Sequence, residues 1–184
     1  MPFRKFIVFP IFVALQAAVL MLIAPYIKIG PESIGGPGLI GWVAFQAWAM
    51  YFLAGCNLKM AGKTAVGYFL GIVASVAIFE LAGLLSGAMG GYWGTALAVF
   101  FVVIPVMCLE KIPIANFIPA IFVGAGVFFA FAYMHKAGTM AQYIEIAVPE
   151  MIACIVGLIF GWITVTFRTN YEKKVMPQTP KPQP

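Results

Sequence analysis

Six stretches of nearly unbroken apolar residues follow one another along the chain, at 6–27, 39–55, 64–85, 92–109, 114–134 and 146–167. A bilayer core about 30 Å thick is crossed by about 20 helical residues at 1.5 Å each, so every stretch is close to spanning length. None alternates apolar and polar residues in the manner of a membrane barrel strand. Backbone groups in lipid must be satisfied within their own segment, which leaves α-helix as the predicted state of all six. The connections IGPESIGGPG, CNLKMAGK, SGAMGG, EKIP and HKAGTMAQY are short and carry turn formers or charge. Such loops make consecutive helices antiparallel neighbours, and the predicted fold class is all-α, a polytopic transmembrane helical bundle. One domain is expected over residues 1–167, with a polar, proline-rich tail at 168–184 that reads as disordered unless a partner holds it.

Composition agrees with the pattern: 63% of the 184 residues are hydrophobic and 9% charged, whereas a soluble domain carries about a quarter of its residues as charges. The net basic balance, 11 Lys and Arg against 6 Glu and no Asp, is informative through its positions. With the N-terminus inside, Arg4, Lys5, Lys59, Lys63, Lys111, Arg168, Lys173, Lys174 and Lys181 fall on the inner side, and Lys28 and Lys136 on the outer. That sorting follows the positive-inside rule and predicts both termini in the cytoplasm. It also argues against a nucleic-acid partner, which calls for a basic stripe interleaved with aromatics. Tyr26, Trp42, Trp93, Tyr133 and Tyr143 fall toward the outer interface, and Tyr51, Trp162 and Tyr171 toward the inner. The first apolar run is longer than the core of a signal peptide and lacks a small-x-small cleavage site, so it reads as a retained span.

Gly67, Gly71 and Ser75 recur every fourth residue in the third stretch, and Gly157 and Gly161 in the sixth. Small-residue stripes let helix backbones approach in lipid, so the first reading is helix packing, with a narrow pore lining as the other. The surrounding sequences, VGYFLGIV from Val66 and VGLIFGWI from Val156, are alike and stand three helices apart. Three helices per half would place two duplicated halves in opposite orientation, a 3+3 inverted repeat. A coincidence of a common membrane-helix pattern is the competing explanation.

Candidate chemistry is sparse. Glu80 and Glu150 lie within apolar stretches, where an ionisable group costs roughly 2.5–3.5 kcal/mol and faces the bundle interior, pairs or becomes neutral. A wet interface reached by both is the bland alternative. Convergence of the two beneath His135, Tyr143 and Glu145 would form an acidic vestibule for cations or protons. Gln46, Trp48 and Asn116 complete the candidate substrate pathway with Glu80, Glu150 and His135. Gln16, Gln46, Asn57 and Asn116 also have the plainer role of hydrogen bonding between helices. Pro10, Pro105, Pro119 and Pro149 are expected to kink their helices, and Pro119 with Gly124 and Gly126 marks a candidate irregular, lumen-facing segment. Cys56, Cys108 and Cys154 are widely spaced, with one histidine in the chain, so they read as packing residues and no metal or other cofactor is expected. No nucleophile elbow, P-loop or HExxH occurs, and no enzymatic activity is expected.

The segments GWVAF (41–45), FLAGC (52–56), FIPAIFVGA (117–125) and GLIFGW (157–162) resemble the YcdZ-like small bacterial inner-membrane proteins, a domain of unknown function. The resemblance runs from about residue 41 to 167 and implies a bacterial inner-membrane location and a compact helical domain. It supplies no catalytic residues. The resulting expectation is a channel or transporter for a small solute or ion, its partners being the lipid bilayer and further copies of the chain in a homo-oligomer. The alternative is a non-transporting accessory or scaffold subunit of a larger membrane complex.

Overall fold

The computed structural model describes residues 2–30 and 36–175, with side chains not described at 36–39. The connection at 31–35 and the proline-rich stretch 176–184, with Lys181, lie outside the described residues. A short turn, α1 (Phe3–Phe6), leads into α2 (Val8–Ile23), followed by α3 (Gly36–Leu53), α4 (Leu58–Met89), α5 (Gly91–Cys108), α6 (Ile118–His135) and α7 (Met140–Val175). No strand occurs among the described residues. Five segments, Phe3–Tyr26 together with α4, α5, α6 and α7, are long and apolar enough to cross a membrane, and Ile40–Leu53 is a shorter apolar helix.

The outer surface is apolar: Ile11, Leu15, Leu22, Phe69, Leu84, Phe100, Ile104 and Phe122 are all exposed. The interior holds Gln16, Thr64, Ser75, Glu150 and Thr164, all buried. Apolar residues outside and polar ones within is the arrangement of a chain solvated by lipid, and the protein is a membrane protein.

Two parallel helix pairs form the centre. Gly157 of α7 meets Ala44 and Ala47 of α3, and Gly161 meets Tyr51, so residue numbers rise together along both helices. In α4 and α6, Gly67 meets Ala120, Gly71 meets Ile121 and Ala125, and Gly124 meets Tyr68 in return, again in parallel. The glycine stripes are therefore packing stripes, and they allow backbone to touch backbone. α2 lies outside α7, where Phe12 stacks on Phe167 at 3.7 Å and Thr164 Oγ1 bonds to Gln16 Oε1 at 2.8 Å. α5 lies outside α4 through a hairpin in which Gly94 sits against Ser86. Exchanging α2, α3, α4 for α5, α6, α7 maps each of these four pairs onto another. α4 and α7 map onto one another and pack together at the centre. The α3–α7 and α4–α6 pairs match in extent, whereas α5 packs along α4 far more closely than α2 does along α7, so the correspondence of the two halves is partial.

Several ends differ from expectation. Pro119 falls in the first turn of α6, where no helical hydrogen bond is lost, so α6 is not irregular there. Pro105 and Pro149 are inside their helices. Pro10 cannot donate to Phe6, which accounts for the break between α1 and α2 at Ile7. α7 does not stop at Phe167 but runs to Val175, braced by the Arg168–Glu172 ion pair at 2.9 Å and by the Tyr171 hydroxyl donating to the Lys5 carbonyl at 2.7 Å. That last bond puts the N-terminal segment and the end of α7 at the same end of the bundle. The α3–α4 connection is there too, since Cys56 and Asn57 border a small pocket with Trp162 and Asn170. Lys63 Nζ donates to Asn116 Oδ1 at 2.7 Å and brings in the α5–α6 connection. This end therefore gathers Arg4, Lys5, Lys59, Lys63, Lys111, Arg168, Lys173 and Lys174, while Lys28 and Lys136 are on the connections at the other.

Candidate functional site

The helix that carries most buried residues is α7, and Tyr143, Ile146, Glu150 and Cys154 follow one another down its inner face. Spacings of three and four residues place them on one stripe. The stripe faces α4, and the two helices run antiparallel. Tyr143 is beside Glu80, and Glu150 and Cys154 are beside Tyr68. The helix starts cleanly because Gln142 Oε1 accepts from the Gly138 and Thr139 amides at 2.9 and 3.1 Å, a capping arrangement just before the first apolar turn.

Glu150 is 0% exposed, and neither carboxyl oxygen has a hydrogen-bond partner. It lies ten residues into α7, about 15 Å along the helix and five residues beyond the exposed Glu145. Tyr68 is also fully enclosed and its hydroxyl is equally without a partner. The Cys154 thiol, one turn further along α7, completes the group. Among the described residues no Lys, Arg or His forms an ion pair with Glu150. A buried polar atom without a partner is costly, and here there are three such atoms on two side chains, Glu150 of α7 and Tyr68 of α4, that interact electrostatically without a hydrogen bond.

Seven residues nearer the lysine-poor end, about 10 Å of helix rise, Tyr143 closes the seam. Phe79 stacks on its ring at 5.9 Å with the planes 12° apart, and Phe128 packs at 6.1 Å. The aromatic layer separates Glu150 from the end where Glu80 is exposed beside the Tyr143 hydroxyl. Toward the lysine-rich end, the contact of Gly157 with Ala44 and Ala47 leaves no space between backbones. Glu150 is fully enclosed between these two levels of α7. Over Pro149 lies Gly30, whose φ of +101° only glycine adopts readily, with 3.1 Å between a Cβ built on it and the proline ring.

The candidate residues read from the sequence divide into separate places. Glu80 and Glu150 share the α4–α7 seam at two levels. His135 is 3.5 Å from Glu145, whose side chain is 58% exposed, at the lysine-poor end. Asn116 is at the opposite end with Lys63. Trp48 is buried between Phe45 and Phe160, with its indole nitrogen unpartnered. Gln46 faces a groove of about 470 Å³ between α3 and α6, otherwise lined by apolar residues such as Trp42, Met50, Phe122 and Met134. A single vestibule does not form. Tyr68 and Cys154 are the members that sequence reasoning missed. Tyr68 stood in plain view between Gly67 and Gly71, but a phenol in an apolar run signals nothing until its partner is known. Among the described residues no cluster of three metal-binding side chains occurs.

Residues 11–168 match a family described as a protein of unknown function, DUF1097. The chain belongs to this family. The match reaches from α2 into α7, so the whole α4–α7 seam of this DUF1097 protein, Glu150 and Tyr68 included, lies inside it. No curated protein and no solved structure matches this DUF1097 chain.

Proposed function

We propose that this protein carries a small solute or ion across the membrane, with Glu150 in the path. The observation that supports the reading is the enclosed carboxyl itself. An ionisable side chain at bilayer depth is expensive, and one without a partner has no structural return for its cost. It also sits where the two three-helix halves meet, which is where transporters of inverted-repeat design place their binding sites. The aromatic layer at Tyr143 then corresponds to a closed gate on the lysine-poor side. On this reading the protein is not an enzyme, the membrane is a bacterial inner membrane with both termini cytoplasmic, and the chain is one of the YcdZ-like members of its family. A homo-oligomer is part of the proposal: Gln46 makes no hydrogen bond among the described residues and faces a lipid-side groove, so a second copy covering α3 and α6 would supply its partner.

The test is flux in proteoliposomes over a panel of small neutral solutes and ions, for the wild type, Glu150→Gln and Glu80→Gln. Flux above the empty-liposome level for one class of solute, lost in Glu150→Gln, is the expected result. Background flux for every solute would overturn the reading. A purified protein that always brings foreign subunits with it would favour an accessory role instead.

A further inference from the structure

We infer that the ion exchanged at this seam is a proton, taken up and released by the Glu150 carboxyl, with the Tyr68 hydroxyl as the donor available to it once it is charged. The inference rests on the transport reading for its purpose, but its structural grounds are independent of it.

Enclosed charges are compensated by a counter-charge, by a shell of hydrogen bonds or by loss of the charge. The first is absent, since no cationic side chain among the described residues pairs with Glu150. The second is absent too, because both carboxyl oxygens and the facing phenol lack partners. A hard metal cation would supply a counter-charge, but it binds a shell of several oxygens. Around Glu150 the polar side chains in electrostatic contact are Tyr68 from α4 and Cys154 from α7 itself. On α7 itself its near neighbours Ile146, one turn before, and Ala153 are apolar and fully buried. Two carboxyl oxygens and one phenol are too few for a metal cation and sufficient for a proton.

The exchange is simple to balance. When the seam opens, the O–H bond at Glu150 breaks, and the proton passes to a water on the open side. The carboxylate left behind accepts the Tyr68 hydroxyl proton as a hydrogen bond, without transfer. Reprotonation from the other side restores the neutral carboxyl. Tyr68 is a positioning residue in this scheme, and its removal changes the pH at which Glu150 exchanges without abolishing exchange.

Infrared spectra of the reconstituted protein test this without a transport substrate. A protonated carboxyl has a carbonyl stretch separate from the carboxylate band. Spectra are recorded across acidic to alkaline pH in sodium chloride and in choline chloride, for wild type, Glu150→Gln, Glu80→Gln and Tyr68→Phe. The expected result is a protonated-carboxyl band that disappears as pH rises, is missing in Glu150→Gln, persists in Glu80→Gln, has a displaced midpoint in Tyr68→Phe and does not respond to sodium. A band present at every pH, or no band attributable to Glu150, overturns the inference, and a band displaced by sodium replaces the proton with a metal cation. Helix content by circular dichroism and an unaltered Glu80→Gln spectrum establish that a missing band is not misfolding. A titrating band without flux for any solute would overturn the transport reading alone, and flux without the band would overturn this inference alone.

Discussion

Gly157 rests against the Ala44 carbonyl so closely that one added carbon has nowhere to go. The obstacle is backbone, which no side-chain rotation can move aside. Gly157→Ala should therefore destabilise the protein by about 1–3 kcal/mol, the usual cost of overpacking a tight contact. Gly83, in the same membrane-crossing set of helices, has nothing within 4 Å of a built Cβ, and Gly83→Ala should be neutral or stabilising by up to about 1 kcal/mol. Thermal unfolding in mild detergent compares the two. Equal melting temperatures would mean that the α3–α7 contact is looser than the structure has it.

The relation between the glycine stripes was half legible in the sequence. VGYFLGIV and VGLIFGWI could be matched by eye, but the helices that receive them, α6 and α3, carry no answering motif that a reader would recognise. Hydropathy marked the six stretches because lipid demands apolar residues over its whole thickness. It could not mark helix ends, since a helix continues into water as long as its hydrogen bonds are capped. Thus α4 begins at Leu58, where Asn57 Oδ1 accepts from the Met60 amide at 2.9 Å, and not at 64. For the same reason Pro119 lies inside the apolar stretch at 114–134 yet in the first turn of α6, which begins at Ile118. Glu150 stood out as a carboxyl in an apolar run. Tyr68 did not, because the pairing of α4 with α7 is a matter of tertiary register.

A buried carboxyl retained against its own cost has a measurable signature. Glu150→Met removes two unpartnered oxygens and fills the space with a flexible apolar chain. Taking away an unsatisfied buried polar group gains about 1–3 kcal/mol, so this variant should melt at a higher temperature than wild type while losing flux. Glu145→Met, at a half-exposed site, should shift stability by no more than about 0.5 kcal/mol. A Glu150→Met protein that melts lower would show that the carboxyl has a structural partner after all.

The outer helix α2 is attached to α7 by few groups, which makes each one testable. Thr164 Oγ1 lies 2.8 Å from Gln16 Oε1, and Gln16 Nε2 donates to the Phe160 carbonyl at 3.4 Å. Interhelical bonds of this kind are worth about 0.5–1.5 kcal/mol in a membrane. Thr164→Val and Gln16→Leu should each destabilise by about that amount, and the double variant by less than the sum, when unfolding is followed in detergent. Strict additivity would mean that the two side chains do not interact in the folded protein.

The three cysteines report orientation and burial together. Cys56, held at a φ of +59°, and Cys108 are exposed at the lysine-rich end, whereas Cys154 is 0% exposed within the α4–α7 seam. Thiols react as thiolates, a form that needs water, so a thiol enclosed beside Glu150 should be inert. In single-cysteine variants, a membrane-impermeant maleimide should label Cys56 and Cys108 in inverted vesicles and neither in intact cells, if the basic end faces the cytoplasm. Cys154 should label from neither side until the protein is unfolded. Labelling of Cys56 in intact cells would reverse the orientation and move the aromatic layer at Tyr143 to the inner gate. Rapid labelling of Cys154 in native vesicles would mean that water already reaches Glu150, and the closed seam would have to give way to an open one.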